Sequence, residues 1–248
     1  MSECEWSDIR IGKNGEVIYV GDFGVVTFPT LTAADLPVRP RRGQGMPVDS
    51  AIPMSERLRN CWGASSVDHF SACTVASLTA PDNVQHAAEV FLSNFRLGAA
   101  ARRGLLIYGE TGVGKTYCAA ALANELMGYG YRCLAAKVEA LIRMDSAELR
   151  RQMARLTARE TDLVVIDDFG SERQSGFGIA SLHQIVDELY TSGVTLLVTT
   201  NLTRSQIAKP ASVEAARPLD RLKERCKCVE YKGPNQRQRQ LAHQEEAS

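Results

Sequence analysis

From Arg103 onward the chain alternates short, nearly pure apolar runs with longer segments in which apolar residues recur every three or four positions. The runs predict strands at 104–108, 131–136, 163–167 and 194–199, and the periodic segments predict helices at 115–127, 146–158 and 178–190. Strands without a polar side belong in a sheet covered on both faces, so the alternation predicts a doubly wound parallel α/β sheet. Phosphate sites in such a sheet belong at the carboxyl ends of its strands. Asp145 with Glu148 reads as a capping box opening the 146–158 helix, and Gly128 with Gly130 predict where the 115–127 helix stops. Upstream, Pro81-Asp82 reads as a helix start. Val84, Ala87, Ala88, Phe91 and Phe95 then share one helical face, which predicts a face laid on a core.

The first residues have a different period. Asp8–Ile11 and Val17–Val20 flank Asn14-Gly15, a hairpin signal, and Val25–Phe28 adds a third strand. Three short strands alone are marginal. Residues 1–35 are therefore expected to form a β-rich segment that packs on the main domain or binds a partner. Residues 36–54 carry Pro37, Pro40, Pro47 and Pro53 with Gly43 and Gly45, around Arg39, Arg41 and Arg42. They read as a linker, and a solvated basic linker is preferred to a phosphate-contacting one. The main domain is expected over 55–240, with a tail at 241–248. Within it, residues 55–80 show no readable period.

Composition narrows the class. The 248 residues are 44% hydrophobic and 23% charged, as in a soluble globular protein. With 29 basic and 29 acidic residues there is no global field toward nucleic acid, so any DNA contact must be a local patch. Seven scattered cysteines suit free thiols in a reducing cytosol and a cytoplasmic location. Cys61, His69 and Cys73 lack a fourth ligand at sensible spacing, so packing is preferred to zinc. The acidic start, Met1-Ser-Glu-Cys-Glu, is no signal peptide, and no apolar stretch approaches the roughly 20 residues that cross a bilayer. A membrane role is not expected.

The candidate chemistry lies where strands give way to loops. Gly109-Glu110-Thr111-Gly112-Val113-Gly114-Lys115-Thr116 follows the first apolar strand and opens a helix, with Tyr117 next. This is the G-x-x-x-x-G-K-T spacing in its strand–loop–helix context, which predicts ATP or GTP binding. The glycines let backbone N–H groups point at the phosphates, and the helix begins with its positive end toward them. Lys115 is placed for the β/γ-phosphates and Thr116 for Mg²⁺. Leu163–Ile166 ends in Asp167-Asp168. Asp167 falls where a carboxylate supports the Mg²⁺ shell, and Asp168 where one orients or deprotonates an attacking water. Leu196–Thr200 ends in Asn201, which is expected near the γ-phosphate or, alternatively, as the cap of a helix over 205–209. Arg217, Arg221 and Arg237 are late arginines of the kind a hydrolytic site draws on, in cis or from a neighbouring subunit.

Together these segments resemble the DnaC/DnaI/IstB branch of AAA+ ATPases, the helicase loaders and transposition ATP-binding proteins. The matching text is Gly109–Thr116, Leu163-Val-Val-Ile-Asp-Asp-Phe-Gly170, Thr199-Thr-Asn-Leu202, Arg217-Pro-Leu-Asp-Arg221 and Lys232-Gly-Pro-Asn-Gln-Arg237, across about residues 65–240. The resemblance implies an AAA+ P-loop fold that uses ATP and Mg²⁺, with Asn201 as sensor 1, Arg221 favoured over Arg217 as arginine finger, and Arg237 as candidate sensor 2. Only 27 residues follow Arg221, so no helical lid domain is expected. It further implies a homo-oligomeric ATPase that grips single-stranded DNA and delivers a replicative helicase. Arg150, Arg151, Arg155 and Arg159 offer a basic helix face for DNA, with a solvated face as the equal alternative. A transposase-regulating ATPase, a small-molecule P-loop kinase and a nucleotide-dependent adaptor with negligible turnover are the competing readings.

Overall fold

The computed structural model describes residues 9–11, 17–21, 24–28, 52–97, 103–170, 176–210, 212–236 and 238; for 9–28, 96–97, 176–180 and 213–215 the backbone alone is described. Three short strands, β1 (Ile9–Ile11), β2 (Val17–Gly21) and β3 (Gly24–Phe28), form an antiparallel sheet in that order. This is the pairing the alternating runs predict. The Asn14-Gly15 turn, most of the 36–54 linker and the 241–248 tail lie outside the described residues.

The main sheet has five strands, all parallel: β4 (Gly104–Tyr108), β5 (Cys133–Lys137), β6 (Leu163–Phe169), β7 (Thr195–Thr200) and β8 (Cys226–Glu230), in the order β5-β6-β7-β4-β8. Alternate residues of each strand point to opposite faces. Leu105, Ile107, Val165, Leu197 and Val229 meet one layer, and Leu106, Val164, Ile166, Leu196 and Val198 the other. The first layer contains α1 (Met54–Trp62), α3 (Asp82–Leu97) and α4 (Lys115–Gly128). The second contains α5 (Val138–Arg143), α6 (Ser146–Leu156), α7 (Gly176–Ser192) and α9 (Val213–Arg225). With both faces covered, the strands need no polar side, and this is why the apolar runs were readable. Val84, Phe91 and Phe95 of α3 are buried as its periodicity predicts. Burying one such side chain contributes about 1.5–3 kcal/mol.

Most differences from the sequence reading lie at the edges and connections. β8 was not predicted: as an edge strand it exposes Lys227 and Cys228 and reads as no apolar run. β5 starts at Cys133, and just before it the Arg132 carbonyl accepts the N–H groups of Asp162 and Leu163. α6 opens on the expected Asp145–Glu148 box and closes where the Thr157 N–H reaches Met153. α4 runs through Gly128 and is closed by Tyr129. The short α8 (Arg204–Ala208) is capped by Thr203 paired with Gln206, so Asn201 is not its cap.

Residues 55–80, unreadable in sequence, hold α1 and α2 (Val67–Ser71), and a long-range contact organises them. Asn124 is buried on the otherwise apolar α4. Its amide donates to the carbonyls of Phe70 (2.7 Å) and Cys73 (2.9 Å) and accepts from the Trp62 indole (3.0 Å). Cys61 and Cys73 are packing residues, and no group of three metal-ligating side chains occurs among the described residues. No helix there is long and apolar enough to cross a membrane.

Candidate functional site

The site is assembled at the carboxyl ends of β4, β6 and β7. β4 hands over to the loop 109–114, and α4 starts at Lys115 with left-handed Gly114 before it and no side-chain cap. No side chain caps the positive end of α4. Gly109 and Gly112 have φ values of 150° and 86°. A Cβ at Gly109 would overlap the Tyr231 carbonyl oxygen, and one at Gly112 the Asn235 amide. The sequence ties these glycines to phosphate; in the fold they also admit the chain's own segment after β8. Tyr231 N–H donates to Tyr108 O (2.7 Å) and Gln236 N–H to Gly112 O (2.9 Å), so this segment braces the loop from outside.

Lys115 is buried, and its ammonium donates to Gly109 O (2.9 Å), Glu110 O (2.6 Å) and Asn201 Oδ1 (2.7 Å). Thr116 Oγ1 donates to Asp167 Oδ1 at 2.9 Å. Asp167 is also buried and receives the Thr199 hydroxyl at 2.7 Å on the same oxygen. Lys115, Thr116, Asp167 and Asn201 thus converge from three separate chain segments.

Asp168 sits beside them in a backbone conformation the sequence did not foretell. The β6–β7 register runs Ile166↔Val198 and then Phe169↔Thr200, so β6 carries one extra residue here. Asp168 absorbs it at φ 57°, the sole left-handed non-glycine among the described residues. Its N–H donates to Thr199 Oγ1 at 3.0 Å, in place of a ladder partner. Thr199 therefore binds both aspartates, one through each role of its hydroxyl. Spacing and residue type alone give Thr199 no distinct role. An apolar strand ending in a pair of threonines was the available signal.

Other predicted residues stand apart. Val113 is buried in the core, so only its backbone is offered to a ligand, while Glu110 and Thr111 are exposed. The Tyr117 hydroxyl lies 2.7 Å from Ser77 Oγ and accepts from Thr74 N–H at 3.4 Å, tying α4 to the segment before α3. Arg221 is ion-paired with Asp187 on α7 and stacks 5.5 Å over the Tyr190 ring. Arg225 lies over the same ring and donates to the carbonyls of Tyr190 and Val194. Neither Arg221 nor the exposed Arg217 contacts the Lys115–Asp167 group within this chain. Arg237 lies outside the described residues. Arg150, Arg151 and Arg159 are exposed, whereas Arg155 donates to the Asn60 carbonyl and ties α6 to α1.

Burial raises the Cys118 thiol to about 12, and burial together with Cys118 raises the Tyr231 phenol to about 12. Burial and then Glu230 raise Tyr108, the residue before the loop, while Arg204 and Lys232 pull it back. These charges share a cleft of about 360 Å³ beside the loop, with Asn201 on its wall.

A family model described as IstB-like ATP binding protein matches residues 99–244, a span that contains every residue of this site. The replicative helicase loader DnaI of Bacillus subtilis (strain 168) is 29% identical over 152 residues, 54% of this chain and 48% of that protein. The chain thus matches about half the length of that curated relative. A crystal structure of DnaI superposes with a TM-score of 0.56 at 22% identity, covering 66% of this chain and 94% of the other. A crystal structure of the DnaC helicase loader gives a TM-score of 0.53 at 23% identity, covering 66% and 99%. At that identity these two likenesses show the fold alone, the AAA+ P-loop fold.

Proposed function

Because this chain belongs to the family of IstB-like ATP-binding proteins, we propose that it is an ATP-driven helicase loader: an ATPase that oligomerises with ATP, binds single-stranded DNA and delivers a replicative helicase. The observation that carries the chemical half is the run of hydrogen bonds linking Asn201 to Lys115, and Thr116 to Asp167 and Thr199, at three strand ends. The partner half is supported by the 29% identity to a replicative helicase loader.

In this reading the backbone N–H groups of 109–115 and the start of α4 hold the phosphates, and Lys115 turns from its carbonyl partners to the β/γ-phosphates. Thr116 and Asp167 present a hydroxyl and a carboxylate oxygen 2.9 Å apart, a hard-oxygen donor set that fits Mg²⁺. When bound, Mg²⁺ would supply charge neutralisation for the phosphates. Asp168, fixed through Thr199, orients or deprotonates the attacking water, and Asn201 positions it. Arg221 reaches the γ-phosphate of a neighbouring copy, so hydrolysis depends on assembly, and Arg237 is the candidate sensor 2. The exposed Arg150, Arg151 and Arg159 face the DNA backbone. The β-rich 1–35 segment serves partner binding, and the protein works in the cytoplasm.

The test is a pull-down of the full chain from host extract with ATP, repeated with Lys115→Ala. Recovery of a replicative helicase by the wild type and its loss in the variant are expected. Unchanged ATP affinity in Lys115→Ala would refute the phosphate-loop reading. A second reading is favoured by the family match itself: an IstB-like ATPase that regulates a transposase. Recovery of a transposase in place of a helicase would select it.

A further inference from the structure

The cleft of about 360 Å³ lies over the carboxyl ends of β4, β7 and β8 and is lined, among others, by Gly109, Glu110, Asn201, Arg204, Glu230 and Lys232. Three of these touch the Lys115 ammonium: the carbonyls of Gly109 and Glu110 and the amide of Asn201. A terminal phosphate held by Lys115 therefore faces this cleft.

Arg204 occupies its wall for reasons that local stability does not supply. It is the first residue of α8, where a cation opposes the backbone dipole. The Thr203–Gln206 box and the buried Ile207 fix the backbone beneath it. Only Leu202 and Thr203 separate it from Asn201, so their Cα atoms lie within about 10 Å. The side chain is exposed and forms no ion pair among the described residues, whereas the neighbouring Glu230 is paired with Lys232 at 3.3 Å. Glu110, the other carboxylate lining the cleft, is exposed. An exposed guanidinium without an ion pair, on a fixed backbone beside the amide that holds Lys115, is placed to meet an anion.

We propose that Arg204 contacts the terminal phosphate of a nucleoside triphosphate from within the same chain and so distinguishes triphosphate from diphosphate. The proposal rests on the reading of 109–116 as a phosphate loop. A guanidinium offers two parallel N–H groups to phosphate oxygens, and the diphosphate lacks the group that meets them. Arg204 would act in cis, beside the finger that a neighbour contributes.

The experiment measures binding of fluorescent ADP, and its displacement by a non-hydrolysable ATP analogue with Mg²⁺, for the full-length wild type, Arg204→Ala and Arg204→Lys. Arg204→Ala is expected to weaken the triphosphate analogue about tenfold, the scale of one charge-assisted hydrogen bond, with ADP affinity changed less than about twofold. Arg204→Lys should recover part of the loss. Equal weakening of both nucleotides, or no weakening of the triphosphate at an unchanged melting temperature, overturns the role of Arg204 while leaving the phosphate loop intact. A wild type that binds neither nucleotide overturns the phosphate loop and this proposal together.

Discussion

Thr199→Val tests the arrangement at its least conspicuous point. Valine keeps the β-branched shape on β7 but removes the hydroxyl that donates to Asp167 at 2.7 Å and accepts from Asp168 N–H at 3.0 Å. A hydrogen bond to a charged partner contributes about 1.5–3 kcal/mol, and an N–H left without a partner costs about 1–3 kcal/mol. Thr199 is fully buried, so water does not substitute, and the added methyl offsets about 1 kcal/mol. A net loss of about 3 kcal/mol follows. For a chain of this size that lowers the melting temperature by about 6–12 °C, readable by circular dichroism at neutral pH. Because the left-handed turn at Asp168 loses its anchor, ATP turnover should fall much further than ADP affinity. Thr199→Ser keeps the hydroxyl and should restore most of both. A valine variant within about 1 kcal/mol of wild type, with normal turnover, would refute the claim that one threonine holds both aspartates.

Three further outcomes are expected. Subunits carrying Asp168→Asn mixed with subunits carrying Arg221→Ala should regain ATPase activity that each lacks alone; no recovery from mixtures that still assemble would sink the trans finger. Asn124→Ala removes three hydrogen bonds between α4 and the α1–α2 segment, costing about 2–4 kcal/mol, and should speed proteolysis near Gly63–Ser66 before the sheet domain is cut. Burial raises both the Cys118 thiol and the Tyr231 phenol to about 12, from ordinary values of 9.0 and 10.0. Folding therefore favours their neutral forms. The stability they carry is complete below about pH 9 and is lost as pH rises toward 12. A melting temperature that stays flat to about pH 11 would contradict their burial.

The fold was legible where local pattern and tertiary role agree. β4, β6 and β7 are apolar because both their faces are covered, so burial is written directly into the run of residues. Asp145 with Glu148 marked a helix start because a cap is a local hydrogen-bond exchange. β8, α1, α2 and the brace from Tyr231 to Gln236 escaped. Each depends on a partner far along the chain: β4 for β8, Asn124 for α1 and α2, Gly109 and Gly112 for the brace.

The same division runs through the site. By itself the sequence determined that a glycine loop with Lys115 and Thr116 opens a helix, that Asp167 and Asp168 lie near the carboxyl end of one strand, and that Asn201 follows another strand of the same sheet. Spacing alone specifies those placements, because a strand delivers its last residue to a known end of a parallel sheet. The tertiary structure alone decided which neighbours those residues meet. The strand order brings β7 between β4 and β6, and so places Thr199 and Asn201 against Asp167 and Lys115. It also leaves Arg221 on Asp187, outside this chain's own site. Lateral strand order and the one-residue bulge at Asp168 arise from packing between distant segments, and no local period along the chain encodes either.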